Sequence, residues 1–470
     1  NNVWISDLDQ PPDPAEMGAG VWVGGGSKLY ATNLLVEDIT AVAGVGVVGG
    51  GSVLVVTDST IRKTKPGKLD LAGAGARANG AGALTLERVL LEKNSGAGVS
   101  ASLAGNASIT DSLVRDTFPY DGYGSGVQAW GGAKLKVSRC LFDNCKGEGA
   151  SAEGTGTQLH LEATVIRNTK LAPGCCGVGT YCEKKATCTF SGCIIASSFT
   201  AGIFANNSQV QIGGSVLKDT KPEPSGDFGY GLFVDDGATV QLLSSRVTGN
   251  TSSGITVSGT DAILEVVGSV VSDTKLDPSG DAGFGIVGAE GADVTITDSL
   301  FEANHLAGVL GEHADTAVTI DGSLIRATAT TDQTPYGLGA LATLGATLSV
   351  GGSVLTENAS GGVACDGDGT TVLLHRTQVL DVPEPPEDAI AFGAGARMGC
   401  QLTISESQVG GNGMFECFFH EPGTNVVVER SIIGATSAAE APTDSLGVGV
   451  IAGAHLALTD SIVAGNHGAG

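Results

Sequence analysis

Aromatic residues make up only 5% of the 470-residue chain. That is thin for the thick core of a large globular domain, and it suits narrow coils of chain joined by tight turns. Basic residues are also scarce. Twenty-five Lys and Arg stand against 50 Asp and Glu, a formal net charge of −25. Such a surface repels nucleic acid and anionic lipid, which excludes nucleic acid as a partner and favours solubility or divalent-cation binding. Long apolar runs are missing: the most apolar stretch, Ala41 to Val56, is interrupted by glycines, so no membrane span is expected. None of the ten cysteines forms a C-x-x-C pair, which argues against a zinc ribbon. No secretory leader opens the chain, and Asn1-Asn2 is not a translational start. The expectation is a removed leader or a piece of a longer protein.

What is abundant is glycine, 73 residues, without the strict third-residue period of collagen. The glycines punctuate a repeat. A Ser or Thr followed two places on by an apolar residue recurs at Ser59, Ser112, Thr164, Ser215, Ser269, Ser323, Thr377 and Ser431, the last four intervals being 54 residues each. Regularity of this kind has to be recognised before any motif is weighed. A second set of starts, among them Ser245, Ser299, Ser353, Ser407 and Ser461, divides each unit into a long half of about 30 residues and a short half of about 24. Apolar residues alternate with period two, as in Val294-x-Ile296 and Val318-x-Ile320, and β-branched side chains dominate them, so the elements are strands rather than helices. Three short strands with Gly-rich turns fit each half. That is one rung of a parallel β-helix, whose rungs stack at about 4.8 Å.

Like positions should then form columns. Leu91, Val114, Ile166, Leu217, Val271, Phe301 and Ile325 belong to the predicted interior, and Arg246, Gln378 and Gln408 beside them point outward. In the first unit Ile5 and Leu35 fill the apolar slots. Five places after each short-rung start stand Asn94, Asn250, Asn304, Asn358, Asn412 and Asn466. Stacked amides of this kind are predicted to donate to one rung and accept from the next, a structural ladder rather than a ligand set.

The run Val294-Thr295-Ile296-Thr297-Asp298-Ser299-Leu300-Phe301-Glu302-Ala303-Asn304 resembles the right-handed parallel β-helix repeats of the pectin-lyase-like superfamily, in particular Gly-rich secreted or surface-attached bacterial members. The resemblance covers essentially the whole chain. It implies an all-β fold, a single right-handed solenoid over residues 1–470 with double-rung units starting near 3, 59, 112, 164, 215, 269, 323, 377 and 431. It is nearly silent on function, because one scaffold carries many activities.

Seven cysteines lie between Cys140 and Cys193. Cys140 and Cys193 occupy equivalent positions two rungs, roughly 9.6 Å, apart, beyond disulfide reach. Cys182 with Cys188, and Cys365 with Cys400, fall on the same or adjacent rungs and are the candidate disulfides, pointing to an oxidising, extracellular or cell-surface location. The extra residues of each long rung make a loop between the Thr position and a Gly-x-Gly. That Gly-x-Gly recurs in every unit with no helix after it, so it does not signal phosphate binding. These loops gather Tyr120, Tyr123, Phe228, Tyr230, Phe284 and Tyr336 with Asp227 and Asp281, the chemistry of a glycan-binding track. Asp366-Gly-Asp368 is the calcium candidate, and calcium is the only cofactor suggested. Equivalent carboxylates two rungs apart are too distant for a retaining glycosidase pair, and no catalytic residues are assigned. A row of Arg62, Arg115, Arg167, Lys218 and Arg326 reads as a solvated, ion-paired face. Neither end shows a helical cap, from which self-association through end rungs, or a longer parent chain, is expected. The reading is therefore an extracellular structural or adhesive repeat protein, with a polysaccharide-binding lyase or hydrolase as the alternative.

Overall fold

The computed structural model describes residues 3–6, 19–66, 73–120, 122, 124–173, 177–331, 336–383, 390–434 and 446–465, with side chains from residue 19 onward. Among them there is no helix, and the strands fall into three parallel sheets. Each rung runs through the sheets in one order. Val270–Ser272 lies in sheet A, Phe284–Ala289 in sheet B and Asp293–Thr297 in sheet C, before Leu300–Glu302 returns to sheet A. Residues 1–223 and 224–470 form two compact units, each a β-solenoid.

In the first unit the sheet A column runs Ile61, Leu91, Val114, Phe142, Ile166, Ile195 and Leu217 in register. In the second it runs Val247, Val271, Phe301, Ile325, Leu355, Val379, Val409 and Ile433. All are at most 1% exposed, so apolar side chains stack on apolar ones and every rung adds a buried member to the column. The first rungs correct the sequence reading by one residue. Ile5 and Ile61 both pair with Val36, which is buried, while Leu35 faces outward. A one-residue shift in a strand exchanges the inner and outer faces.

The recurring Ser has a defined task at the turn from sheet C into sheet A. The Ser269 amide donates to Ser299 Oγ (3.2 Å), the Ser299 amide to Ser323 Oγ (3.1 Å) and the Ser323 amide to Ser353 Oγ (3.0 Å). Ser299 Oγ in turn donates to Thr297 O (2.8 Å). Each hydroxyl thus satisfies two backbone groups that the turn would otherwise orphan.

The asparagines act differently from the predicted relay. Asn304 is fully buried; its Oδ1 accepts from the Thr274 amide (3.3 Å) and Thr274 Oγ1 (2.8 Å), and its Nδ2 donates to Val271 O (3.1 Å). Asn94 and Asn358 make the same backbone bonds to Thr64 and Ile61, and to Thr328 and Ile325. Both ends of each amide are therefore spent on the preceding long rung. Around Asn304 the column alternates Asn with Thr, and Val382 takes the Thr place before Asn412, so an amide has no second amide beside it. Asn466 lies outside the described residues.

The amide also explains the Gly-x-Gly. A Cβ on Gly231, Gly285, Gly339 or Gly393 would stand 2.4–2.9 Å from the Nδ2 of Asn250, Asn304, Asn358 or Asn412, and equally close to a carbonyl of the next rung. The motif makes room for the ladder. One rung breaks the rule: sheet B register sets Glu416 opposite Gly393. The Glu416 side chain is fully buried and accepts from the amides of Gly411 and Asn412 (both 3.2 Å) and from Asn412 Nδ2 (2.7 Å). Burial pushes its pKa above the usual carboxylate range even though these three donors oppose the shift.

Candidate functional site

The outer face of sheet B is where rigid strands present ring-bearing side chains. In the second unit the row of first strand residues includes Ser253, Phe284, Gly361, Phe392 and Phe415. Phe284 and Phe392 come from long rungs, which carry a loop just before the strand, and Ser253 and Gly361 from short ones. Phe392 lies over two of the small residues, since a Cβ on Gly361 or Gly395 would meet its ring at 2.9 and 2.6 Å. Three places along the strands a second row runs Val287, Leu310, Leu341, Ala364, Gly395 and Phe418. Val287, Leu310 and Leu338 with Phe284 and Phe392 form one apolar cluster on this face.

At the end of that cluster is a pocket of about 290 Å3. Tyr336, Ile390, Phe392 and Phe418 supply its apolar walls, and Asp366 and Arg397 its polar groups. Arg397 Nη2 donates to Asp366 Oδ2 at 2.7 Å, and the carboxylate, with Tyr336 adding to it, holds the guanidinium pKa above its ordinary value. Asp366 Oδ1 is buried without a hydrogen-bond partner. Below the pair, a disulfide joins Cys365 to Cys400, with Cα atoms 6.1 Å apart. An arrangement of ring faces around a charge pair on a rigid sheet is suited to holding a ligand with one apolar face and several hydrogen-bonding groups.

The sequence-predicted glycan residues do not all converge here. Tyr336 lines the pocket. Phe284 packs into the apolar cluster. Phe228 and Tyr230 form a separate group, edge to face at 5.9 Å, with Phe233 5.3 Å from Tyr230. Burial pushes the Tyr230 phenol pKa up, and Asp227 and Asp277 add to it. Tyr120 is half-buried in the first unit, and Tyr123 lies outside the described residues. Asp227 and Asp281 are exposed. The carboxylate that organises the loop of Asp281 is Asp277, whose Oδ1 accepts from the amides of Asp281 (2.9 Å) and Ala282 (3.1 Å), so that loop is a self-bonded turn. Phe418, Arg397 and Ile390 were not singled out from the sequence, although Phe415, Phe418 and Phe419 form a conspicuous cluster in a chain poor in aromatics.

Asp366 and Asp368 are used separately. Asp366 holds Arg397, and Asp368 Oδ1 accepts from the Gly369 amide (3.0 Å) within its own turn. Among the described residues no three His, Cys, Asp or Glu side chains gather as a metal site. A second disulfide joins Cys182 and Cys188, Cα atoms 6.6 Å apart. Cys140 and Cys193 are unpaired and occupy the Ser position, their thiols donating to the carbonyls of Ser138 and Ser191 as the serines do. The basic row pairs mainly with the preceding rung: Arg62 with Glu37 (2.9 Å), Arg115 with Glu92 (2.6 Å), Arg167 with Asp143 (2.9 Å) and Arg326 with Glu302 (2.8 Å).

Comparison with known proteins adds the following. The family model described as "Right handed beta helix region" matches residues 15–170, 164–271 and 225–379. No curated protein sequence matches the chain. Among solved structures, a chain in the cryo-EM structure of the Vag8–C1 inhibitor complex aligns with a TM-score of 0.59 at 14% identity, covering 98% of this chain and 100% of that one. A pectate lyase aligns at a TM-score of 0.34 and 12% identity, covering 60% of this chain and 67% of its own. A periplasmic alginate epimerase aligns at 0.36 and 9%, covering 77% and 76%. At such identities the likeness is one of fold. No helix among the described residues is long and apolar enough to cross a membrane.

Proposed function

The chain belongs to the right-handed β-helix family, and from that premise we propose that it is an extracellular adhesive protein that holds a polysaccharide against the outer face of sheet B. The observation that carries the reading is the pocket in which Tyr336, Phe392 and Phe418 surround the Arg397–Asp366 pair. Sugar rings stack on aromatic faces through their C–H surfaces while their hydroxyls seek paired donors and acceptors, and the pocket offers both. Strands, not mobile loops, carry Phe392, Phe418, Asp366 and Arg397, so binding orders few additional side chains. Two disulfides favour an oxidising compartment. The reading is of binding rather than turnover, because the equivalent loop carboxylates Asp227 and Asp281 stand two rungs, about 9.6 Å, apart.

The experiment is a screen of the intact protein against an array of defined glycans, followed by titration of each hit with wild-type and Phe418→Ala protein. Removing one stacking ring should weaken binding about tenfold while leaving circular dichroism unchanged. Absence of any glycan hit, or affinity indifferent to both Phe418→Ala and Phe392→Ala, would refute the proposal.

A further inference from the structure

The charge of the chain is divided unevenly. Residues 1–223 carry 19 Lys and Arg against 20 Asp and Glu, whereas residues 224–470 carry 6 against 30. Nearly all of the net charge of −25 therefore belongs to the unit that holds the pocket. Among the described residues that line the pocket, the one cation is already matched: Arg397 is bound to Asp366 at 2.7 Å. The remaining oxygen of that carboxylate, Oδ1, has no donor but is itself closed off from solvent, so what a ligand meets is the exposed part of the carboxylate, whose charge Arg397 alone offsets. An ionised carboxylate offers acceptors only, so the group that completes it has to bring a proton. The Asp366 side chain is 21% exposed and that of Arg397 47%, so the pair borders the opening that Tyr336, Phe392 and Phe418 frame.

From these observations we infer that the pocket selects sugars carrying a free amino group over neutral sugars, and rejects uronates. The inference rests on the glycan-binding reading above and adds the class of sugar. An ammonium beside C2 of a hexose donates up to three hydrogen bonds, is attracted by the surplus of carboxylates on residues 224–470, and leaves the apolar ring face free to stack on Phe418. A uronate carboxylate would meet an arginine already neutralised and an acidic field around it. It would also place a second anion beside Asp366, where like charges repel.

The test is calorimetric titration of the intact protein with glucosamine, glucose and galacturonate tetramers, at low and high salt. Glucosamine tetramer should bind at least about tenfold more tightly than glucose tetramer, the worth of one charge-assisted hydrogen bond, with galacturonate weakest of the three. In Asp366→Asn the order should invert towards galacturonate, because Arg397 is then uncompensated. If that variant does not fold, Arg397→Gln serves instead and should widen the preference for glucosamine. Equal affinity for glucosamine and glucose, galacturonate binding as tight as glucosamine, or an amine preference that survives Asp366→Asn would each overturn the inference. In those cases loss of binding in Phe418→Ala would leave the glycan reading standing. If none of the three binds and the wider array is also blank, both fall together.

Discussion

Asn304→Ala is the sharpest test of how the rungs are joined. The amide is fully buried and makes three bonds to the rung before it, at 3.3, 2.8 and 3.1 Å. Truncation leaves the Thr274 amide without its acceptor and Val271 O without this donor. Each buried backbone group so deprived costs about 1–3 kcal/mol, and the Thr274 hydroxyl can turn elsewhere. The expected loss is about 2–5 kcal/mol, at the upper end of what single substitutions do. Stability in a solenoid is local, so the effect should be read near the site. Hydrogen exchange at the Thr274 amide should accelerate by two orders of magnitude or more, given about 1.4 kcal/mol per tenfold. The urea midpoint of the transition involving residues 224–470 should fall. Thr319→Ala, on an exposed sheet C position, is the control and should cost less than about 0.5 kcal/mol. If Thr274 exchange is unchanged, or the two variants are equally destabilised, the buried amide does not bind rung to rung and the account is refuted.

Glu416 makes stability depend on pH with a definite sign. Its folded pKa is raised, so it contributes stability that is fully present below the ordinary carboxylate pKa and is lost as pH rises through the higher folded value. The Glu416→Gln variant should lack that component, seen as a flatter unfolding midpoint between acid and neutral pH than wild type shows. The two disulfides should differ under replacement by Ser. Cys365–Cys400 spans 35 residues and Cys182–Cys188 spans 6, so loop-closure entropy predicts losses of about 4 and about 2 kcal/mol, measured by urea unfolding of each variant. Raising the salt concentration should stabilise residues 224–470, with 30 acidic residues and 6 basic, and leave residues 1–223 nearly unaffected. Probe-specific melting at two ionic strengths checks this, through relief of like-charge repulsion.

The columns were legible because a parallel register sets identical positions side by side. Phe301 beside Ile325, or Ser299 beside Ser323, is the sequence repeat made spatial. Reading failed where the pattern lost contrast. Leu34, Leu35 and Val36 are three apolar residues in succession, so alternation gave no phase and the assignment slipped by one. The asparagine relay fails for another reason: the next side chain in the column is Thr, or Val382 before Asn412, a fact that emerges only when long and short rungs are overlaid. The pocket lay furthest from view. Asp366 and Arg397 are 31 residues apart and meet because one coil consumes about that many. The loop aromatics recur from unit to unit, whereas Phe418 occurs once, on a short rung.

The pairing of Asn94, Asn304 and Asn358 with a glycine and a threonine on the rung before, and of Asn412 with Gly393 and Val382, reaches beyond stability. Losing or gaining one coil would set two asparagines, or two threonines, against each other and leave a seam mismatched. Only steps of two coils, 54 residues each between Ser215 and Ser431, restore every seam there. Such a molecule is heritable in whole couplets, lengthening by about 9.6 Å at a time, and its size in any lineage should be quantised accordingly.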